Sequence, residues 1–252
     1  MIYKDLIDHF AVRASSFSNN GWADNKTILQ IIADSASSFC PYANDILDYG
    51  AGTGIVSEYL LDKIPNLKSI TALDVSSEML FHIKDKRIKC VISSVESTPF
   101  NNGQFDLIVS RQCLHYVHDL AKTISESKRI LRSNGIFVLT QFVPLEDETK
   151  QYWKELTRIR QPLRVNYFSE KDWIDSFTQN GFLPLSLKRF TIQSSVSKWS
   201  DHYKNVNESQ MQEYTSMLLN APESYKRKYG IVVKGNDIIG QTHGVTIVFK
   251  AN

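Results

Sequence analysis

A chain of 252 residues with 42% hydrophobic and 22% charged residues is ordinary for one globular domain, and it is long enough for a core with an appended cap. Its net charge of +2, without a basic run that carries interleaved aromatic residues, argues against nucleic acid as a partner. The three cysteines have no metal-ligand spacing, so we expect no metal site and a reducing, cytoplasmic location. Charges interrupt residues 1–9 every few positions, and we therefore expect neither a signal peptide nor a membrane-spanning helix.

The predicted elements begin with a helical segment over residues 1–40, followed from residue 45 to residue 142 by alternating strands and helices. This alternation predicts an α/β fold whose parallel sheet has helices on both faces. Ligands of such sheets bind beyond the carboxyl ends of the strands. Residues 143–168 then show an amphipathic pattern with several arginines.

The most informative motif is a glycine-rich turn between the first predicted strand and the next helix. Gly50, Gly52 and Gly54 alternate after Asp48, which allows a sharp turn and a close approach of a ligand to the backbone. A dinucleotide fingerprint would need its third glycine at Ile55, and the Lys-Ser/Thr pair of a phosphate-binding loop is absent. The turn therefore predicts a small polar ligand other than a dinucleotide or a nucleoside triphosphate.

Further motifs follow at the ends of the next strands. The second strand, Ile70–Asp74, ends in an acid 20 positions beyond Gly54, where a carboxylate can accept hydrogen bonds from ribose hydroxyls. The third strand leads into a loop at Ser93–Phe100, and the fourth leads into Arg111–Val117. We expect these strand ends to converge on one pocket.

These motifs resemble those of class I S-adenosylmethionine-dependent methyltransferases, in particular the small-molecule branch similar to ubiquinone and menaquinone methyltransferases. The resemblance spans roughly residues 1–190. It implies a single domain with a Rossmann-like, seven-stranded, mostly parallel sheet, helices on both faces, N-terminal helices and a substrate cap. Within residues 1–252 it implies an N-terminal helical cap (1–40), a cofactor-binding half (45–142), a lid over the acceptor (143–168) and a C-terminal substrate half (169–252).

The resemblance also implies S-adenosylmethionine as the cofactor and S-adenosylhomocysteine as the product. An acid at position 48 suits the cationic groups of this cofactor. Ser94 and Phe17 stand where the family usually has aspartate and tyrosine, so we expect weaker or rearranged adenine recognition and the loss of one hydroxyl. The residues implied to bind the cofactor are Asp48, Gly50, Ala51, Gly52, Thr53, Gly54, Asp74, Val75, Met79, Ser94, Val95, Glu96, Arg111, Arg13 and Phe17.

Candidates for the acceptor site come from the fourth strand end and the lid. His115 is the first candidate for a catalytic base, because it follows the fourth strand and titrates near neutral pH, and Tyr116 is the second. A hydrogen-bonded structural histidine is the alternative. Arginines suit an acidic substrate through bidentate hydrogen bonds, and a solvated helix face is the alternative that charged runs more often form. The candidates for binding the acceptor are Gln112, Arg158, Arg160, Arg164 and His202.

The sequence thus predicts a monomeric or homodimeric enzyme that transfers a methyl group to an O, N or C atom of a small molecule, in quinone-type or secondary-metabolite biosynthesis. The segment after the fourth strand lacks the Asn/Asp-Pro-Pro-Tyr/Phe motif of enzymes that methylate base amines, which again argues against nucleic acid. Two alternatives remain open. One is an enzyme of the same fold that catalyses dehydration or cyclisation, and the other is a cofactor-sensing binding protein.

Overall fold

The computed structural model describes residues 3–17, 22–65, 67–198 and 207–252. The strands are β1 (Ile46–Tyr49), β2 (Ile70–Asp74), β3 (Ile88–Ile92), β4 (Phe105–Arg111), β5 (Leu131–Phe142), β6 (Phe182–Ser195), β7 (Val232–Lys234) and β8 (Asp237–Ala251). The α-helices are α1 (Lys4–Phe17), α2 (Lys26–Phe39), α3 (Ile55–Lys63), α4 (Ser77–Leu80), α5 (Leu120–Ile130), α6 (Lys150–Arg160), α7 (Glu170–Gln179), α8 (Glu208–Leu219) and α9 (Glu223–Lys228). Short 3-10 turns cover Leu114–Tyr116 and Asp147–Thr149. None of the helices in the described ranges has the length and apolar character needed to cross a membrane.

Seven strands form a continuous sheet in the order β3-β2-β1-β4-β5-β8-β6, and the short strand β7 also pairs with β8. Strands β1 to β5 are parallel, whereas β8 runs antiparallel to β5 and β6. The predicted Rossmann-like, mostly parallel sheet is therefore confirmed, with β7 as an unpredicted addition. The strand order changes direction between β1 and β4, so the loops after β1, β2 and β4 border one crevice.

Both faces of the sheet are covered because successive residues of a strand point to opposite sides. Ile46 packs in one core with Ile28 of α2 and Leu60 of α3. Its neighbour Leu47 packs in the opposite core, together with residues of α5 and α7. The apolar strands thereby hold the loops at their carboxyl ends on a rigid support.

A third apolar cluster, here called the cap cluster, lies apart from the two cores of the sheet. Trp153 and Leu156 of α6 pack there with Tyr214 and Leu218 of α8 and with Tyr225 of α9. The predicted lid thus supplies only part of this cap. Helices α8 and α9, which belong to the predicted C-terminal half, supply the rest because α6 alone cannot bury its apolar side.

Candidate active site

The glycine turn after β1 requires glycine for two separate reasons. Gly50, Gly52 and Gly54 have φ values of +74°, +56° and +83°, a left-handed conformation that other residues rarely adopt. A Cβ at Gly50 would lie 2.3 Å from the Cys113 sulfur, and one at Gly54 would lie 2.8 Å from Ile83. Conformation and space together therefore exclude side chains from the floor of the crevice.

Asp74 at the end of β2 holds this turn in place. Its carboxylate accepts hydrogen bonds from the backbone N–H groups of Gly52, at 2.8 Å, and of Ser76, at 2.9 Å. Burial raises the pKa of Asp74, while these backbone hydrogen bonds oppose the shift. The following residues Val75 and Met79 lie in the wall of the same crevice.

Asp48 and Arg111 place a buried carboxylate and a half-buried guanidinium near the ends of β1 and β4. The Ser57 hydroxyl donates to Asp48 at 2.7 Å, and burial raises the pKa of this aspartate to about 6. Arg111 donates to the carbonyl oxygen of Ala23 at 2.5 Å and lies 5.5 Å from the centre of the Trp22 ring. Burial lowers the pKa of Arg111 to about 10, so its charge is retained at neutral pH.

The loop after β3 places two of its three predicted cofactor residues at the crevice. Ser94 and Val95 line it, and the Ser94 hydroxyl oxygen accepts the backbone N–H of Glu96 at 3.1 Å. The side chain of Glu96 instead accepts hydrogen bonds from the Tyr3 hydroxyl and, at 3.0 Å, from the backbone N–H of Asp119. Glu96 therefore joins α1 to the loop before α5 and does not lie in the wall.

These strand ends border a cavity with about 800 Å³ of empty space that is partly open to solvent, here called the strand-end cavity. Two other predicted residues, Thr53 and Gly54, belong to the turn beneath it and do not line it. The predicted cofactor residues in its wall are Asp48, Gly50, Ala51, Gly52, Asp74, Val75, Met79, Ser94, Val95, Arg111 and Phe17.

A second cavity, here called the cap cavity, opens between the sheet and the cap cluster. It has about 2110 Å³ of empty space and is partly open to solvent. The residues that line both cavities are Phe10, Phe17, Trp22, Gln112 and Tyr116. The aromatic rings among them pack edge to face, with 6.2 Å between the ring centres of Phe10 and Phe17 and 5.6 Å between those of Phe17 and Trp22. We call this shared wall the junction.

Gln112 is the strained residue of the junction. Its φ of +54° lies in the left-handed region, and its backbone N–H donates to the Thr140 carbonyl oxygen of β5 at 3.0 Å. Within the described part of the chain, both polar atoms of its buried amide lack a hydrogen-bond partner. Because buried amide groups normally make hydrogen bonds, this side chain is available to a ligand.

His115 lies on the cap side of the junction in a neutral state. Its Nδ1 contacts the Gln141 Oε1 atom at 2.9 Å, so Nδ1 carries the proton and Nε2 carries the lone pair. Burial, and then the nearby charge of Arg164, lower the pKa of His115 well below its ordinary value. Its Nε2 has no hydrogen-bond partner among the described residues, and the side chain lines the cap cavity.

Only some of the predicted basic residues line the cap cavity. Arg160 and Arg164 line it, whereas Arg158 does not. Arg13, predicted at the cofactor, lines the cap cavity and is absent from the wall of the strand-end cavity. His202 lies outside the described residues.

Sequence reasoning missed several residues of both walls. Trp22 lies in the junction, while Tyr225 and Tyr229 line the cap cavity with their rings stacked at 4.2 Å. The aromatic content of residues 214–229 was the available signal. That content does not show which side chains face the site.

Comparisons with known proteins agree with this architecture. Residues 47–139 match the family model of a methyltransferase domain. The chain is 25% identical over 168 residues to the uncharacterized methyltransferase YcgJ of Bacillus subtilis, covering 64% of this chain and 65% of that protein. It is 29% identical over 176 residues to the malonyl-(acyl-carrier protein) O-methyltransferase of a Paenibacillus species, covering 64% and 63%. The matches thus span less than two thirds of either relative.

Among solved structures, the protein BH2331 of Bacillus halodurans superimposes with a TM-score of 0.79 at 20% identity, covering 88% of this chain and 98% of that chain. The structural match shows that the two chains share a Rossmann-like α/β fold. The segment 47–139, which contains most of strands β1 to β5, thus matches a methyltransferase domain. These matches support the predicted methyltransferase family and S-adenosylmethionine as the methyl donor.

The residues of the strand-end cavity fit this cofactor. Asp48 is buried and Asp74 is half-buried, burial raises the pKa of both carboxylates, and a cationic ligand compensates such groups. The glycine floor brings backbone rather than side chains to the wall of the cavity at Gly50 and Gly52. Met79 and Val95 add apolar surface suited to a purine ring.

Proposed function

We propose that this chain transfers the methyl group of S-adenosylmethionine to an O, N or C atom of a small molecule held in the cap cavity. The junction carries the proposal, because two cavities that share Gln112, Tyr116 and Phe17 can hold a donor and an acceptor side by side. Quinone-type or secondary-metabolite biosynthesis in the cytoplasm is the setting we propose. Nucleic acid is not an expected acceptor.

In this proposal, Asp48 and Asp74 bind and orient the cofactor from the ends of β1 and β2. Bound S-adenosylmethionine supplies an electrophilic methyl group on a cationic sulfur. Asp74 would accept hydrogen bonds from the ribose hydroxyls. Ser94 would donate a hydrogen bond from its hydroxyl, since its oxygen already accepts the Glu96 N–H. Phe17 covers the cavity from α1 and excludes water.

His115 is the proposed base for acceptors that must lose a proton. Its Nε2 can accept a proton because Gln141 holds the hydrogen on Nδ1. An acceptor that is already nucleophilic would use the same nitrogen only as a hydrogen-bond partner. Tyr116, whose ring lies 4.1 Å from that of His115, closes the junction beside it.

The first experiment is calorimetric titration of the purified protein with S-adenosylmethionine and S-adenosylhomocysteine, followed by a transfer assay with methyl-labelled donor and a panel of acidic and aromatic small molecules. Micromolar binding and label in an acceptor would support the proposal. No binding of either compound would overturn it. Tight binding without transfer to any acceptor would favour a non-methylating enzyme or a cofactor sensor.

A further inference from the structure

Arg164 is a buried cation without a carboxylate partner in the described part of the chain. Its side chain is 4% exposed and donates to the carbonyl oxygens of Asn166, at 2.9 Å, of the Gln161 amide, at 3.1 Å, and of Phe142, at 3.3 Å. These dipoles stabilise the guanidinium without cancelling its charge. Buried charges are normally paired, so a bound anion would complete this environment.

The charged residues that line the cap cavity in the described part of the chain all have the same sign. Arg13, Arg160 and Lys198 line it together with Arg164, and none of its described lining residues is Asp or Glu. Lys150, in the same helix as Arg160, instead forms an ion pair with Asp172 outside the cavity. Four cations in a partly enclosed space create a positive potential that attracts anionic ligands.

The rest of the wall is aromatic and apolar. Trp153 and Leu156 of α6 face the cavity, as do Tyr225 and Tyr229, whose rings stack on each other. The Arg164 guanidinium lies 4.8 Å from the centre of the Trp153 ring. The basic and aromatic surfaces are therefore adjacent, and a ligand that carries an anion on an aromatic body would contact both.

We infer that the acceptor is an aromatic or largely apolar molecule with a carboxylate or similar anionic group, which the cap cavity binds through Arg164 and Arg160. This inference rests on the proposed function and names the substrate class for it. Gln112, in the junction, then faces the atom that receives the methyl group, while the lid arginines bind the anion.

The test compares naphthalene-2-carboxylate with naphthalene-2-carboxamide, two probes of nearly equal shape that differ in charge. Calorimetry on the full chain, saturated with S-adenosylhomocysteine, should show at least tenfold tighter binding of the carboxylate. Arg160→Gln should remove most of this preference and Arg160→Lys should restore part of it. Lys154→Gln is the matched control, because it removes a charge from the same helix at a residue that does not line the cavity.

Equal binding of the two probes to the unmodified protein would overturn the inference. An equal loss of preference in Lys154→Gln and Arg160→Gln would also overturn it, since the effect would then come from general surface charge. Thermal unfolding and S-adenosylhomocysteine affinity of each variant show whether the fold and the strand-end cavity are intact. If the protein binds S-adenosylhomocysteine but does not prefer the carboxylate, only this inference fails. If it does not bind S-adenosylhomocysteine, the proposed function fails, and the carboxylate preference can still be measured without that ligand.

Discussion

Asp48→Asn should stabilise the cofactor-free protein while weakening its binding of the cofactor. Burial raises the pKa of Asp48 from 3.8 to about 6. Because the folded-state pKa lies above the unfolded-state value, the folded state binds the proton more tightly, and stability falls as pH rises through this window. At about 1.4 kcal/mol for each pKa unit, the carboxylate costs about 3 kcal/mol at pH 7. Asparagine removes this charge and keeps an oxygen that can accept the Ser57 hydroxyl.

Urea unfolding at pH 7 should therefore show a free energy of unfolding up to about 3 kcal/mol higher for Asp48→Asn, with little difference near pH 4. Calorimetry should show weaker S-adenosylmethionine binding in the same variant. Asp106→Asn is the control, since Arg132 and two backbone N–H groups lower the pKa of Asp106, and its loss should reduce stability at pH 7. Reduced stability of Asp48→Asn at pH 7 would refute the reasoning, because it would show that Arg111 and Ser57 more than compensate the buried charge.

Three other substitutions test the remaining parts of the site. In urea unfolding, the unmodified protein should lose stability as the pH falls from 7 to 5, and His115→Asn should lose less, because burial lowers the folded-state pKa of this histidine and the folded state resists its protonation. The same variant should show lower turnover with unchanged cofactor affinity. Gly50→Ala should lower the melting temperature more than Gly235→Ala, since both glycines have positive φ but only Gly50 faces a neighbouring side chain; equal shifts would contradict the steric argument. Asp74→Ala should weaken cofactor binding by about 1.5–3 kcal/mol in calorimetry, and unchanged affinity would remove it from the site.

The parts of the site that the sequence predicted are those encoded locally. Asp48 and Asp74 directly end buried apolar runs, and parallel strands bring such ends to one edge of the sheet. The glycines between them adopt left-handed backbone conformations that other residues rarely reach. The location of these residues in the fold can be predicted from the local sequence, because a strand and the turn after it depend mainly on nearby residues.

The cap was less predictable because its packing joins distant segments. Trp153 and Tyr214 share one cluster across about sixty residues of chain, and no local pattern specifies that contact. The division among the lid arginines, in contrast, follows helix geometry. Arg158 and Arg160 differ by about 200° around an α-helix, so they point to opposite sides, and the structure places only Arg160 in the cavity wall.

Gln112 lies in the junction, and both its local backbone conformation and its contact with a distant strand determine its position. Its left-handed backbone, which costs about 1 kcal/mol or more for a residue other than glycine, is held by the Thr140 carbonyl oxygen of the neighbouring strand. A glycine there would avoid the strain but would also remove the amide. The chain instead retains a strained residue whose buried amide atoms have no partner among the described residues, between a cavity suited to the donor and one suited to an anionic acceptor. A ligand that spans the junction would supply those missing hydrogen bonds, so the strained backbone is best explained by what Gln112 contacts when both cavities are filled.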